Sequence, residues 1–86
     1  MASKKIVVKA ENGLHARPAG IFVKSASKYT CDVFVETNGK KVNAKSIMGL
    51  MSLGIKQNQE VTIITEGSDE APALEELSAV MAEHLE

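Results

Sequence analysis

In the segment Gly13-Leu14-His15-Ala16-Arg17-Pro18-Ala19 a histidine stands at the mouth of a helix, an arginine follows two residues later, and a proline defines the first turn. Proline lacks an amide hydrogen and is tolerated where that donor has no intrahelical partner anyway, so Pro18 fixes the helix start. With His15 as the capping residue, the amides of Ala16 and Arg17 are unpaired, and the helix dipole adds about half a positive charge there. Phosphate is favoured at such a place. The same dipole disfavours imidazolium and holds the ring neutral, and neutral imidazole carries the lone pair that attacks phosphorus. The Arg17 guanidinium then steadies the phosphoryl oxygens. Taken alone, these seven residues fit an exposed loop histidine and a solvated arginine better than a site.

A second cluster surrounds Ser46. It precedes Ile47-Met48-Gly49-Leu50-Met51, where a serine hydroxyl accepts from the first exposed amides of a short helix that Gly54 ends. Ile47, Met48 and Met51 suit either a core or an adaptable contact surface, since methionine serves both. Lys24, Lys28 and Lys45 either ring such a surface and meet acidic partners or only keep the chain soluble. The remaining candidates are weaker. His84 lies near a helix C-terminus and reads as a surface residue, and Cys31 reads as a small strand residue. Two distant histidines and one cysteine offer no metal-ligand spacing, and neither a metal nor a cofactor is expected.

The elements that must position these residues follow from periodicity. Lys5 to Lys9 is β-branched between charged flanks and reads as a strand, stopped by Glu11-Asn12-Gly13. A helix is predicted from Ala16 to Lys28, with Ala19, Phe22, Val23, Ala26 and Tyr29 on one face. Cys31 to Thr37 alternates with period two, and Asn38-Gly39 turns it into an antiparallel strand over Lys40 to Ala44. Glu60 to Glu66 is a further strand with Val61, Ile63 and Thr65 on one face. A last helix is capped by Asp69, holds Pro72 in its first turn, and buries Leu74, Leu77 and Val80 or Met81. This order, βαββαβα, gives an α+β open-faced two-layer sandwich: a four-stranded antiparallel sheet with three helices on one face. Strand order stays open, although right-handed crossovers remove most alternatives.

At 86 residues the chain is a single domain spanning 1 to 86, too small for a catalytic cavity lined on all sides, so its chemistry belongs on the surface. The lone cysteine, the absence of an apolar run of about 18 residues and an N-terminus unlike a secretory signal favour a reducing cytoplasm without membrane insertion. Residues 1 to 56 carry ten bases and three acids, and the remainder carries eight acids and no base. That asymmetry marks either a basic docking face or a pattern that folding interleaves. With aromatics at 3% and a net charge of −1, a nucleic-acid partner is disfavoured.

The segment 13 to 19, together with Lys45-Ser46-Ile47-Met48-Gly49-Leu50-Met51-Ser52-Leu53-Gly54, resembles the HPr family, and the likeness runs essentially end to end. HPr is the phosphocarrier of the phosphoenolpyruvate-dependent phosphotransferase system. The resemblance implies phosphorylation of His15 by enzyme I, on the ring nitrogen nearer the backbone, with Arg17 and the Ala16 amide at the phosphoryl group. It implies transfer onward to sugar-specific EIIA domains, with Lys24, Ile47, Met48 and Met51 as docking residues. The Gram-positive version implies a regulatory phosphorylation of Ser46 by HPr kinase/phosphorylase and binding to a catabolite-control repressor. A monomer suits a carrier that meets several partners through one face. Gly20 departs from the pattern, since relatives usually carry a side chain there, and Gly49 contributes none to the short helix. A regulatory paralogue lacks the histidine, so His15 favours the carrier role here. A labile phosphorus–nitrogen bond suits a carrier that is a covalent substrate as much as a catalyst. A small acyl-phosphatase-like hydrolase is the alternative from another class, but it needs a positioned water and base that the sequence does not offer.

Overall fold

The computed structural model describes residues 1–8, 16–56 and 58–84 and contains β1 (Ala2–Val8), α1 (Ala16–Ala26), β2 (Asp32–Thr37), β3 (Lys40–Asn43), α2 (Ile47–Met51), β4 (Gln59–Glu66) and α3 (Glu70–His84). The strands form one antiparallel sheet in the order β1-β4-β2-β3. β4 is central. It pairs Ile6 with Val61 on one side and Val35 with Ile63 on the other. The β2–β3 reversal uses Asn38 at φ 52° and Gly39 at φ 79°, the two positive values that a tight two-residue hairpin requires.

One face of the sheet is apolar because alternate residues point to it. Val33, Val35, Val61, Ile63 and Thr65 are fully or almost fully buried there, beneath Ala19, Phe22 and Ala26 of α1, Leu50 of α2 and Ala73, Leu77 and Met81 of α3. Val23, Tyr29, Leu74 and Val80 pack at the margins of this core. The other face stays open, with Lys41 Nζ 4.7 Å from the centre of the Phe34 ring.

Most element limits differ from the sequence reading by a residue or two, and the larger differences have physical reasons. β1 starts at Ala2, not Lys5, because its first residues extend the β4 ladder as far as Ala2 opposite Thr65. α1 stops at Ala26, before the expected Lys28, because Lys28 and Tyr29 bond three residues back, to Ser25 and Ala26, and tighten the end into a turn. Asp69 does precede α3, but its carboxylate turns elsewhere. It accepts from the Thr30 and Cys31 amides, both at 2.9 Å. That engagement also takes Cys31 out of the ladder, so β2 begins at Asp32.

Candidate functional site

α1 begins at Ala16 and Arg17, with Pro18 in its first turn as its missing amide hydrogen allows. The expectations for His15, and for the side chains of Arg17 and His84, lie outside the described residues. What α1 packs against at its start is described. A Cβ built on Gly20 would meet the Ile47 Cδ1 atom at 3.8 Å, so the second turn of α1 abuts α2 at the position where Gly20 has no side chain.

α2 is too short to bury more than one side. Leu50 takes the core position with no exposure, and this turns Ile47, Met48 and Met51 outward at 42%, 80% and 41% exposure. The choice the sequence left open is thereby made for all three. Three large apolar side chains thus face solvent within five residues. The lysines divide. Lys24 is exposed in the last turn of α1. Lys28 instead pairs with Glu76, and Lys45 Nζ donates to the Tyr29 carbonyl at 2.7 Å. The expected ring of three lysines thus reduces, among the described residues, to Lys24 alone without a described partner.

Ser46 caps α2 as read from the sequence. Its backbone is extended, its hydroxyl oxygen accepts from the Gly49 amide at 3.2 Å, and its carbonyl accepts from Leu50 at 3.1 Å. The hydroxyl is exposed to solvent. Other serine hydroxyls behave differently: Ser27, Ser52 and Ser78 donate to the carbonyls of Val23, Gly49 and Leu74. Gly49 sits close to β3, where a Cβ would lie a tight 3.0 Å from the Asn43 carbonyl oxygen.

Asn43, which the sequence reading did not single out, holds this region in place. The Asn43 side chain accepts from the Lys45 amide at 2.9 Å, and its carbonyl accepts from the Ser46 amide at 3.2 Å. An asparagine two residues before an amide that needs a partner is a legible signal for such a turn. The Tyr29 hydroxyl donates to Glu76 at 2.8 Å, which raises the phenol above its ordinary value, while Lys28 and then Tyr29 hold the Glu76 carboxylate below its own. This pair ties the end of α1 to α3. Burial pushes the Cys31 thiol up, and the Thr30 amide leads the bonds that hold Asp69 down.

Among the described residues no group of three or more His, Cys, Asp and Glu side chains has metal-binding geometry, and no helix is long and apolar enough to cross a membrane. An open groove of about 490 Å³ between β1 and α3, lined by residues such as Ala2, Lys4 and Leu74, shares no residue with α1 or α2.

The family model described as the PTS HPr component phosphorylation site matches residues 2–83. The chain belongs to the HPr family. It is accordingly an HPr-family phosphocarrier of the phosphotransferase system, a family of carriers and not of catalysts that interacts with the other enzymes of that system. It is 53% identical over 85 residues to the HPr-like protein Crh of Bacillus subtilis, covering 99% of this chain and 100% of that one. The histidine-containing phosphocarrier protein of a mycoplasma superposes with a TM-score of 0.94 at 34% identity, over 98% of this chain and 96% of the other. The crystal structure of Bacillus subtilis Crh, a swapped and intertwined dimer, gives a TM-score of 0.79 at 52% identity over 100% and 99% of the two chains. The four-stranded open sheet with three helices is therefore the HPr fold.

Proposed function

We propose that this chain, as one cytoplasmic HPr domain, accepts a phosphoryl group on His15 from phosphorylated enzyme I and passes it to sugar-specific EIIA domains. The observation that carries this reading is the exposed apolar triad of Ile47, Met48 and Met51 on α2, whose Ile47 lies against the second turn of α1 at Gly20. A carrier must dock several partners by one surface, and flexible thioethers adapt to surfaces that share no sequence. In the transfer, a His15 ring nitrogen forms the bond to phosphorus as the donor's bond to that phosphorus breaks. Arg17 and the Ala16 amide bind the phosphoryl oxygens. Onward transfer reverses the same exchange.

The test is intact-mass measurement after incubation with phosphoenolpyruvate, magnesium and a catalytic amount of enzyme I, beside His15→Ala. One acid-labile phosphoryl group, absent from the variant, supports the reading. An adduct that survives in His15→Ala overturns it.

A second reading, centred on Ser46, is favoured by the relatives named HPr-like protein Crh and by the state of the hydroxyl. Ser46 Oγ is an exposed acceptor whose proton is engaged by no described residue, whereas the Ser27, Ser52 and Ser78 protons are held on carbonyls. In this regulatory step HPr kinase/phosphorylase would direct Ser46 Oγ onto the terminal phosphorus of a nucleoside triphosphate. The bond to the diphosphate breaks, and the hydroxyl proton passes to a base of the kinase. The added charge of about −2 beside the exposed triad then weakens enzyme I docking and favours a catabolite-control repressor. The two readings are compatible in one monomeric protein, and sedimentation separates that monomer from a dimer like that of Crh.

A further inference from the structure

We propose that Asn43 is the positioning residue for phosphorylation of Ser46: by holding both the Lys45 and the Ser46 amides, it transmits the rigidity of the sheet to the hydroxyl that a kinase must find. This rests on the regulatory reading of Ser46 given above.

Asn43 is the last residue of β3, paired with Phe34 of β2, so its backbone is fixed by the sheet. From that place it makes two bonds into the next turn, side-chain oxygen to the Lys45 amide at 2.9 Å and carbonyl to the Ser46 amide at 3.2 Å. Its carbonyl is also the atom that a Cβ on Gly49 would approach to 3.0 Å, and Gly49 is the residue whose amide grips Ser46 Oγ. One residue thus constrains Ser46 from the side preceding it and sets the space for the glycine that constrains it from the other. Lys45 Nζ, bonded to the Tyr29 carbonyl, anchors the same turn to the segment after α1. The turn holds the Ser46 amide, its Oγ acceptor position and its carbonyl, and no described residue takes the hydroxyl proton.

A phosphoryl transfer gains rate when the attacking oxygen is already oriented, because the entropy of orientation is lost before the reaction and not during it. Without the Asn43 side chain the Lys45 amide loses its protein partner and the turn samples orientations that the kinase cannot use. The loss is one of orientation, so it falls on turnover more than on substrate affinity.

The experiment compares the full-length chain with Asn43→Ala and Asn43→Asp as substrates of HPr kinase/phosphorylase with magnesium and ATP. It reads kcat and KM for Ser46 phosphorylation and amide hydrogen exchange at Lys45 and Gly49. Enzyme I-dependent phosphorylation serves as the control for folding. Asn43→Ala is expected to lower kcat/KM about five- to tenfold, mainly through kcat, the effect of one net hydrogen bond. Its Lys45 amide should exchange faster. Asn43→Asp, which keeps an acceptor oxygen in the same place, should restore slow exchange and recover kcat to within about threefold of wild type. Wild-type kcat/KM in Asn43→Ala overturns the inference, as does an Asn43→Asp protein that regains protection at Lys45 and stays as slow as the alanine variant. A wild-type chain that takes up no phosphoryl group at Ser46 overturns the regulatory reading itself and this inference with it.

Discussion

A Cβ placed on Gly67 would lie 2.8 Å from the Cβ of Cys31 and 2.9 Å from its Cα, so the turn after β4 and the approach to β2 touch at a point where only hydrogen fits. Gly67 also holds φ at +147°, outside the range that L side chains ordinarily adopt. Gly67→Ala should therefore cost about 1 to 3 kcal/mol from strain and overlap together. Gly20→Ala should do the opposite. Its new methyl would make an ordinary contact with Ile47, and a helix-interior glycine gives up roughly 1 kcal/mol relative to alanine. Urea denaturation of the two variants should move the midpoint in opposite directions.

The acid limb of stability should follow the carboxylates that the fold holds ionised. Asp69, Glu70 and Glu76 all have lowered pKa values, from the Thr30 amide, the chain's amino terminus and Lys28 respectively as first causes. With the folded value below the unfolded one, the unfolded chain binds more protons in the interval between them. Stability is then complete above about pH 4 to 5 and is lost as pH falls through the folded values. Thermal melting from pH 2 to 7 should show that decline, with a shallower slope in Asp69→Asn. Tyr29, raised by its bond to Glu76, gives the converse at high pH. Its contribution is present below its ordinary pKa near 10, is lost as pH rises through the higher folded value, and should vanish in Tyr29→Phe.

Leu50 and Met48 share a five-residue helix and should separate stability from docking. Leu50→Ala empties a fully buried position and should cost about 2 to 5 kcal/mol. Met48→Ala, at an exposed position, should change stability by no more than about 0.5 kcal/mol while weakening binding to enzyme I and EIIA domains. Calorimetric titration beside denaturation checks both. Equal binding by the Met48 variant would remove α2 from the docking surface.

Substitutions of Ser46 should divide along the same line. Ser46→Ala deletes the acceptor for the Gly49 amide and should lower stability by about 0.5 to 2 kcal/mol. Ser46→Asp keeps an acceptor and adds charge beside Ile47 and Met48. It should slow His15 phosphorylation by enzyme I, read from initial rates, and unchanged rates would argue against any coupling of the two positions.

Where a feature depends on local chemistry, the sequence declares it. Asn38-Gly39 specifies its turn because both residues must take positive φ, and Ser46 specifies its cap because a hydroxyl there meets an unpaired amide. Where a feature depends on what lies across the fold, local pattern is silent. Asp69 looks like a cap in the chain, yet its carboxylate serves amides 38 and 39 positions away. Lys45 looks like a free surface cation, and only the packing of the turn against the end of α1 brings the Tyr29 carbonyl to it. The exposure of Met48 and Met51 was undecidable for the same reason: methionine suits either side, and the position of Leu50 in the core decides which.

The central place of β4 also orders events during synthesis. The β2–β3 hairpin is local and can close as soon as residue 43 is free, but the strand that β1 pairs with, β4, ends at residue 66. β1 must therefore wait for its strand partner until residue 66 has left the ribosome, long after the hairpin can close. In translation arrested before residue 59, protease should degrade the nascent chain, and resistance should appear abruptly once β4 has emerged.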